Sequence, residues 1–119
     1  MDEVNTLVGA QVNYLRFSYQ IDINVIRGSN RDRKYANLQI EVPFQLKTKN
    51  GSLTIDPNDL TTLPQLIPLL HTTLVDINLT ESHELTLSFD NDMQIEIKQA
   101  KKYEAWNLTG DGLPHVIAS

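Results

Sequence analysis

A chain of 119 residues with 40% hydrophobic content has the size and composition of one globular domain, and 1–119 reads as a single domain. The absence of cysteine excludes disulfide staples, thiol catalysis and cysteine-based zinc sites, and it fits a reducing compartment. The net charge of −5 is unevenly divided: residues 1–50 carry seven Lys/Arg against five Asp/Glu, or +2, and residues 51–119 carry three against ten, or −7.

The opening Met1-Asp2-Glu3-Val4-Asn5 is acidic and lacks the basic start and apolar core of a signal peptide. No stretch approaches the ~20 apolar residues of a membrane span. A cytoplasmic protein with no membrane association is the expectation.

Alternation of period two then dominates, the mark of strands with one buried face. From Leu15 to Val25 every odd position is apolar (Leu15, Phe17, Tyr19, Ile21, Ile23, Val25), with Arg16, Ser18, Gln20, Asp22 and Asn24 between them. Eleven residues is long for one strand, so the pattern predicts a bent strand or two strands joined near Ser18–Gln20. A polar, basic loop at 27–34 follows, with Gly28 and Asn30 as turn formers. The pattern resumes at Ala36, Leu38, Ile40, Val42, Phe44 and Leu46, and Pro43 on the opposite side signals an edge or a bulge.

Asn50-Gly51 is a strong hairpin signal, so a short strand at Leu53–Ile55 should pair back on the preceding one. After Asp56-Pro57-Asn58-Asp59, Leu60–Leu70 is the only helical-looking segment, with apolar residues at 60, 63, 66, 67 and 70. Thr61 or Thr62 is its candidate cap, Pro64 suits its first turn, and Pro68 limits it to one or two turns. Three more strands are predicted at Thr73–Leu79, Glu84–Phe89 and Met93–Lys98, the last two joined through Asp90-Asn91-Asp92. The sum is an α+β domain: a mainly antiparallel sheet of six or seven strands with one short helix.

Catalytic chemistry does not assemble from these residues. The five glycines are scattered, so no phosphate loop forms. His71, His83 and His115 have no metal-ligand spacing. No serine sits in a nucleophile elbow, and Asp90 and Asp92 read as turn residues rather than a hydrolytic pair. We therefore expect no enzyme, no cofactor and no metal. The acidic balance and the single short basic loop also argue against nucleic acid as a partner. Trp106, the only tryptophan, reads as a core plug at one end of the sheet, with a partially exposed aromatic anchor for a ligand or protein partner as the alternative.

Four pieces of the chain belong together: Leu7-Val8-Gly9 ahead of a strand, the Leu/Pro-rich Leu63–Leu70, the hairpin Phe89-Asp90-Asn91-Asp92, and the terminal Tyr103-Glu104-Ala105-Trp106-Asn107-Leu108-Thr109-Gly110. This layout resembles a widespread bacterial family of small uncharacterised domains, and the terminal motif is its specific part. Such domains are similar in size to immunity proteins encoded beside polymorphic toxins, including those of contact-dependent growth inhibition. The resemblance implies a protein that binds and neutralises a cognate, basic toxin domain by occluding its active site or an adjacent surface. It brings no catalytic residues with it. The acidic half supplies the candidate contacts Asp76, Glu84, Asp90, Asp92, Glu96, Glu104 and Asp111, with Glu81 beside them. Asp76, Glu84 and Glu96 occupy polar positions of their strands and would form an acidic ladder if those strands are neighbours. The alternative is a non-enzymatic binding module for a small molecule or a cellular protein, using a pocket between the sheet and the short helix.

Overall fold

The computed structural model describes residues 2–28, 31–82, 84–98, 106–110 and 116–118. They form ten strands: β1 (Gln11–Phe17), β2 (Ile21–Arg27), β3 (Lys34–Ile40), β4 (Phe44–Thr48), β5 (Gly51–Ile55), β6 (Leu74–Leu79), β7 (Leu85–Phe89), β8 (Gln94–Ile97), β9 (Trp106–Gly110) and β10 (Val116–Ala118). Two 3-10 helices, Asp2–Leu7 and Leu63–Leu69, complete the described elements. One sheet has the order β1-β2-β3-β9-β10 and the other β5-β4-β8-β7-β6, antiparallel throughout. The mainly antiparallel architecture is the one read from the sequence. The strand number is higher because both long alternating stretches divide and the tail adds β9 and β10.

The first stretch divides at Ser18–Gln20, where the Ser18 amide donates to the Gln20 carbonyl at 2.9 Å and closes the β1–β2 hairpin. Tyr19 sits at that tip, 86% exposed, so the apolar set 15–25 is not buried as a whole. Ile21, Ile23 and Val25 are buried, whereas Leu15 and Phe17 are half-buried against the core. The set 36–46 is buried at all six positions, yet it serves two sheets. Ala36, Leu38 and Ile40 belong to β3, and Phe44 and Leu46 to β4. Pro43, which has no N–H for a ladder, lies in the exposed bend where the chain changes sheet.

The apolar faces of both sheets meet in one cluster. The sheets are also stitched edge to edge where β1 and β6 begin. The Gly9 amide donates to the Leu74 carbonyl at 2.8 Å and the Leu74 amide to the Ala10 carbonyl at 2.8 Å. The Val12 amide donates to the Thr72 carbonyl and the His71 amide to the Val12 carbonyl, both at 2.9 Å. Each of these two strands carries a register shift, between Val12 and Tyr14 and between Leu74 and Asp76. The extra residue lets Val12 and Leu15, or Leu74 and Ile77, both point inward although they are three apart.

The helical segment is real but tighter than an α-helix. Leu63, Leu66 and Leu69 are its buried residues, a spacing of three, while Leu60 and Ile67 are exposed. A 3-10 helix stacks residues i and i+3 on one face, so Leu69 is buried in place of Ile67, while Leu70 remains half-buried against the core. Pro64 and Pro68 leave few amides for i to i−4 bonding, which favours the short, tight form. Thr62 stands at the N-cap without capping through its side chain. Its hydroxyl turns back to the preceding loop, accepting from the Asp56 amide at 3.0 Å and donating to the Asp59 carbonyl at 2.8 Å. Trp106 is buried, 1% exposed, where β9 pairs with β3 opposite Ile40.

Candidate functional site

Register fixes where the acidic candidates stand. Asp76 on β6 lies opposite Ser88 on β7, and Thr86 on β7 lies opposite both Asn78 and Glu96. The Thr80 amide donates to the Glu84 carbonyl at 3.0 Å, which carries the β6–β7 pairing one step beyond the strand. Asp76, Glu84 and Glu96 therefore share the outer face of one sheet on three adjacent strands. They stand at three different levels, so the arrangement is a diagonal scatter rather than a ladder of opposed carboxylates.

Two of the candidates are already neutralised. Lys47 donates to Glu96 at 2.9 Å across the β4–β8 pairing, and Lys49 pairs with Asp92 at 3.2 Å. Asp90 ties its turn to the start of β6, its carboxylate accepting the Thr73 amide at 3.2 Å and its own amide donating to the Thr73 carbonyl at 2.9 Å. No Lys or Arg occurs between Asn50 and Ile97. The β6–β7 hairpin therefore carries Asp76, Glu81, Glu84 and Asp90 without a Lys or Arg of its own. Asp76, Glu81 and Asp90 are exposed and Glu84 is half-buried. Glu104 and Asp111 lie outside the described residues.

The outer face of the other sheet carries a polar network that alternation alone misplaces. Asp22 and Asn24 sit on the side read as exposed, yet Asp22 is 1% exposed and Asn24 is buried. Strand β2 is flanked on both sides, and neighbouring side chains lie over it. The Asp22 carboxylate accepts from Arg16 Nε at 2.8 Å, Gln20 Nε2 at 3.2 Å and Asn37 Nδ2 at 3.4 Å. The hydrogen bond and the charge of Asp22 together hold the Arg16 guanidinium above its ordinary pKa. Asn13, the extra residue of the β1 bulge, donates to Asn24 Oδ1 at 3.1 Å, and Asn107 donates to Gln39 Oε1 at 2.9 Å. Tyr14 and Tyr35 are partly exposed on the same face. The signal was present as Asn, Gln or Asp at outward positions of successive strands, since such residues need partners once they are covered.

Two concavities border these faces. One, of about 380 Å³, is lined by Thr6, Leu7, Arg27, Gly28, Asp32, Lys34 and Tyr35, and there Arg27 donates to the Thr6 carbonyl at the end of the first 3-10 helix. The other, of about 440 Å³, runs between the β4–β5 hairpin and the second 3-10 helix, with Leu53, Gln65, Pro68 and Met93 among its walls. Among the described residues no three His, Cys, Asp or Glu side chains gather to hold a metal. No helix among them is long and apolar enough to cross a membrane.

A family model described as "Family of unknown function (DUF6188)" matches residues 4–119. No curated protein and no solved structure matches the chain.

Proposed function

The chain belongs to this family of unknown function, and we propose that it acts by binding, as a cytoplasmic immunity protein that neutralises a basic toxin domain. The observation that carries the reading is the segregation of charge. The β6–β7 hairpin presents Asp76, Glu81, Glu84 and Asp90 with no Lys or Arg of its own, while Glu96 and Asp92 are held by Lys47 and Lys49. An uncompensated field of one sign at one sheet edge steers and orients a partner of the opposite sign. Polar outer faces and a filled core suit a surface that occludes another protein. The groove between the β4–β5 hairpin and the second 3-10 helix favours a second reading, a module for a small apolar ligand.

The discriminating experiment is association kinetics with the product of the neighbouring gene, measured across ionic strength. The double reversal Asp76→Lys/Glu84→Lys should slow association roughly tenfold at low salt and flatten its salt dependence. It should leave stability little changed, because Asp76 is exposed and Glu84 only half-buried, and surface charges of this kind contribute about 1 kcal/mol or less. Tight binding that neither salt nor the reversals alter would reduce the acidity to a solvated surface. Absence of binding would retire the immunity reading in favour of the small-ligand module.

A further inference from the structure

Strand β5 closes one side of its sheet, and among the described residues no strand pairs with its outer edge. Hydrogen-bond alternation shows which groups it offers. The Phe89 amide donates to the Met93 carbonyl at 2.9 Å, so these two residues form a hydrogen-bonded pair at the end of the β7–β8 ladder. From there, odd-numbered residues of β8 address β7, and Gln94 and Glu96 address β4 through Lys47 and Gln45. Phe44, Leu46 and Thr48 are left to bond β5 through Ile55, Leu53 and Gly51. The N–H and C=O groups of Ser52 and Thr54 consequently point outward. Ser52, Leu53 and Thr54 are all exposed.

Natural sheets protect such an edge with charge, proline, a bulge or a covering element. Gly51-Ser52-Leu53-Thr54-Ile55 has no charge and no proline, and its pairing with β4 runs through five positions without a shift. Leu53 lies opposite the buried Leu46, on the core-directed face, yet it is 42% exposed because the second 3-10 helix stops short of it and leaves the 440 Å³ groove.

We propose that β5 is a homodimerisation edge, and that it pairs antiparallel with β5 of a second copy about a two-fold axis at Leu53. This register is the one the alternation allows. Ser52 meets Thr54 of the second copy as a hydrogen-bonded pair, Thr54 meets Ser52 likewise, and the four outward groups of each strand are satisfied at once. Leu53 meets its own counterpart at the non-hydrogen-bonded position between them, where side chains approach closest. At the flanks this register sets Asp56 opposite Asn50 of the second copy, so no like charges are brought into opposition. Self-complementarity of backbone and side chain about one residue fits a second copy better than an unrelated strand. The edge lies on the opposite side of the sheet from β6, so this inference stands apart from the acidic hairpin.

The test exploits a chain that has no cysteine. Cα atoms of a non-hydrogen-bonded antiparallel pair lie about 4.5 Å apart, within disulfide reach. Under mild oxidation Leu53→Cys should cross-link to a dimer at least about tenfold faster than Val75→Cys, an equally exposed position on β6, because proximity raises effective concentration. Light scattering over a concentration series should give twice the 13.5 kDa chain mass for the parent. Thr54→Pro should return the mass to one chain with an unchanged circular dichroism spectrum, since the amide it removes points away from β4. Leu53→Lys, which places a charge on the edge, should do the same and serves if the proline variant fails to fold. A parent that stays monomeric over the series, or a Leu53→Cys rate no higher than that of Val75→Cys, overturns the proposal.

Discussion

Asp22 shows how one side chain ties three strands together. Its carboxylate gathers donors from β1, from the β1–β2 turn and from β3, and it is sealed from water. Asp22→Ala should destabilise the fold by about 1–3 kcal/mol, because two amides lose an acceptor under cover; chemical denaturation measures it, and a loss below about 0.5 kcal/mol would mean that water replaces the carboxylate freely. Trp106 is buried in β9, and its truncation to Ala should cost roughly 3–5 kcal/mol. A native fluorescence maximum typical of a solvent-exposed indole would contradict that placement. Gly110 has a steric reason to be glycine: a Cβ there would lie 2.6 Å from the Tyr35 carbonyl oxygen and 2.8 Å from the Ala36 Cα. Both neighbours are the backbone of β3, which cannot step aside, so Gly110→Ala should lower stability by about 1–3 kcal/mol through overpacking. Asp59 is an exposed example of a different kind. Hydrogen bonds from the Thr61 hydroxyl at 2.6 Å and the Thr61 amide at 3.0 Å hold its carboxyl below the ordinary range. A depressed carboxyl stabilises the fold above its unfolded pKa of about 4, and that contribution disappears as pH falls through the lower folded value. Asp59→Asn should therefore narrow the gap between urea midpoints measured at neutral pH and at about pH 3, an effect kept small by solvent.

At the level of elements, local pattern was legible where one residue type leaves few choices, and obscured where a choice depends on neighbours. Asn50-Gly51 announced the β4–β5 hairpin, and Pro43 announced an irregularity. Nothing in the 36–46 alternation says that its two halves serve different sheets, because each half needs the same inward period of two. The same holds at Val12 and Leu74, where a bulge resets the phase. A reading with fixed parity loses the first turns of β1 and β6. The leucines at 60–70 fit periods of 3 and 3.6 about equally well, and the prolines settle the contest toward three. This has a consequence for packing. Leu66 is buried with zero exposure in mid-helix, whereas Ile67 beside it is exposed. Leu66→Ala should cost about 2–5 kcal/mol and Ile67→Ala less than about 1 kcal/mol, a contrast that an α-helical stripe would not produce. The acidic candidates divide on similar grounds. Sequence alone put Asp76, Glu84 and Glu96 on outward positions of three strands, but pairing partners such as Lys47 come from β4, which only the sheet order brings beside β8.

For the molecule as a whole, the question is whether two sheets make one cooperative unit or two. The single apolar cluster draws on both, from Ile23, Leu38 and Trp106 on one side and Leu46, Leu87 and Ile95 on the other. The covalent path crosses between sheets at 41–43, and the hydrogen bonds joining residues 9–12 to 71–74 bind the edge of one to the edge of the other. Neither sheet has a second apolar layer of its own to fall back on, so loss of one exposes the inner face of its partner. Unfolding should then be two-state. The lone tryptophan makes this measurable, since Trp106 reports on the β1-β2-β3-β9-β10 sheet while far-ultraviolet circular dichroism reports on both. The two urea midpoints should coincide. Leu87→Ala, on β7 in the opposite sheet, should shift the tryptophan midpoint and the dichroism midpoint together, by an amount corresponding to about 2–5 kcal/mol. A tryptophan transition that stays in place while the dichroism curve splits would show the stitched edge and shared core to be too weak to couple the sheets, and each would then unfold on its own terms.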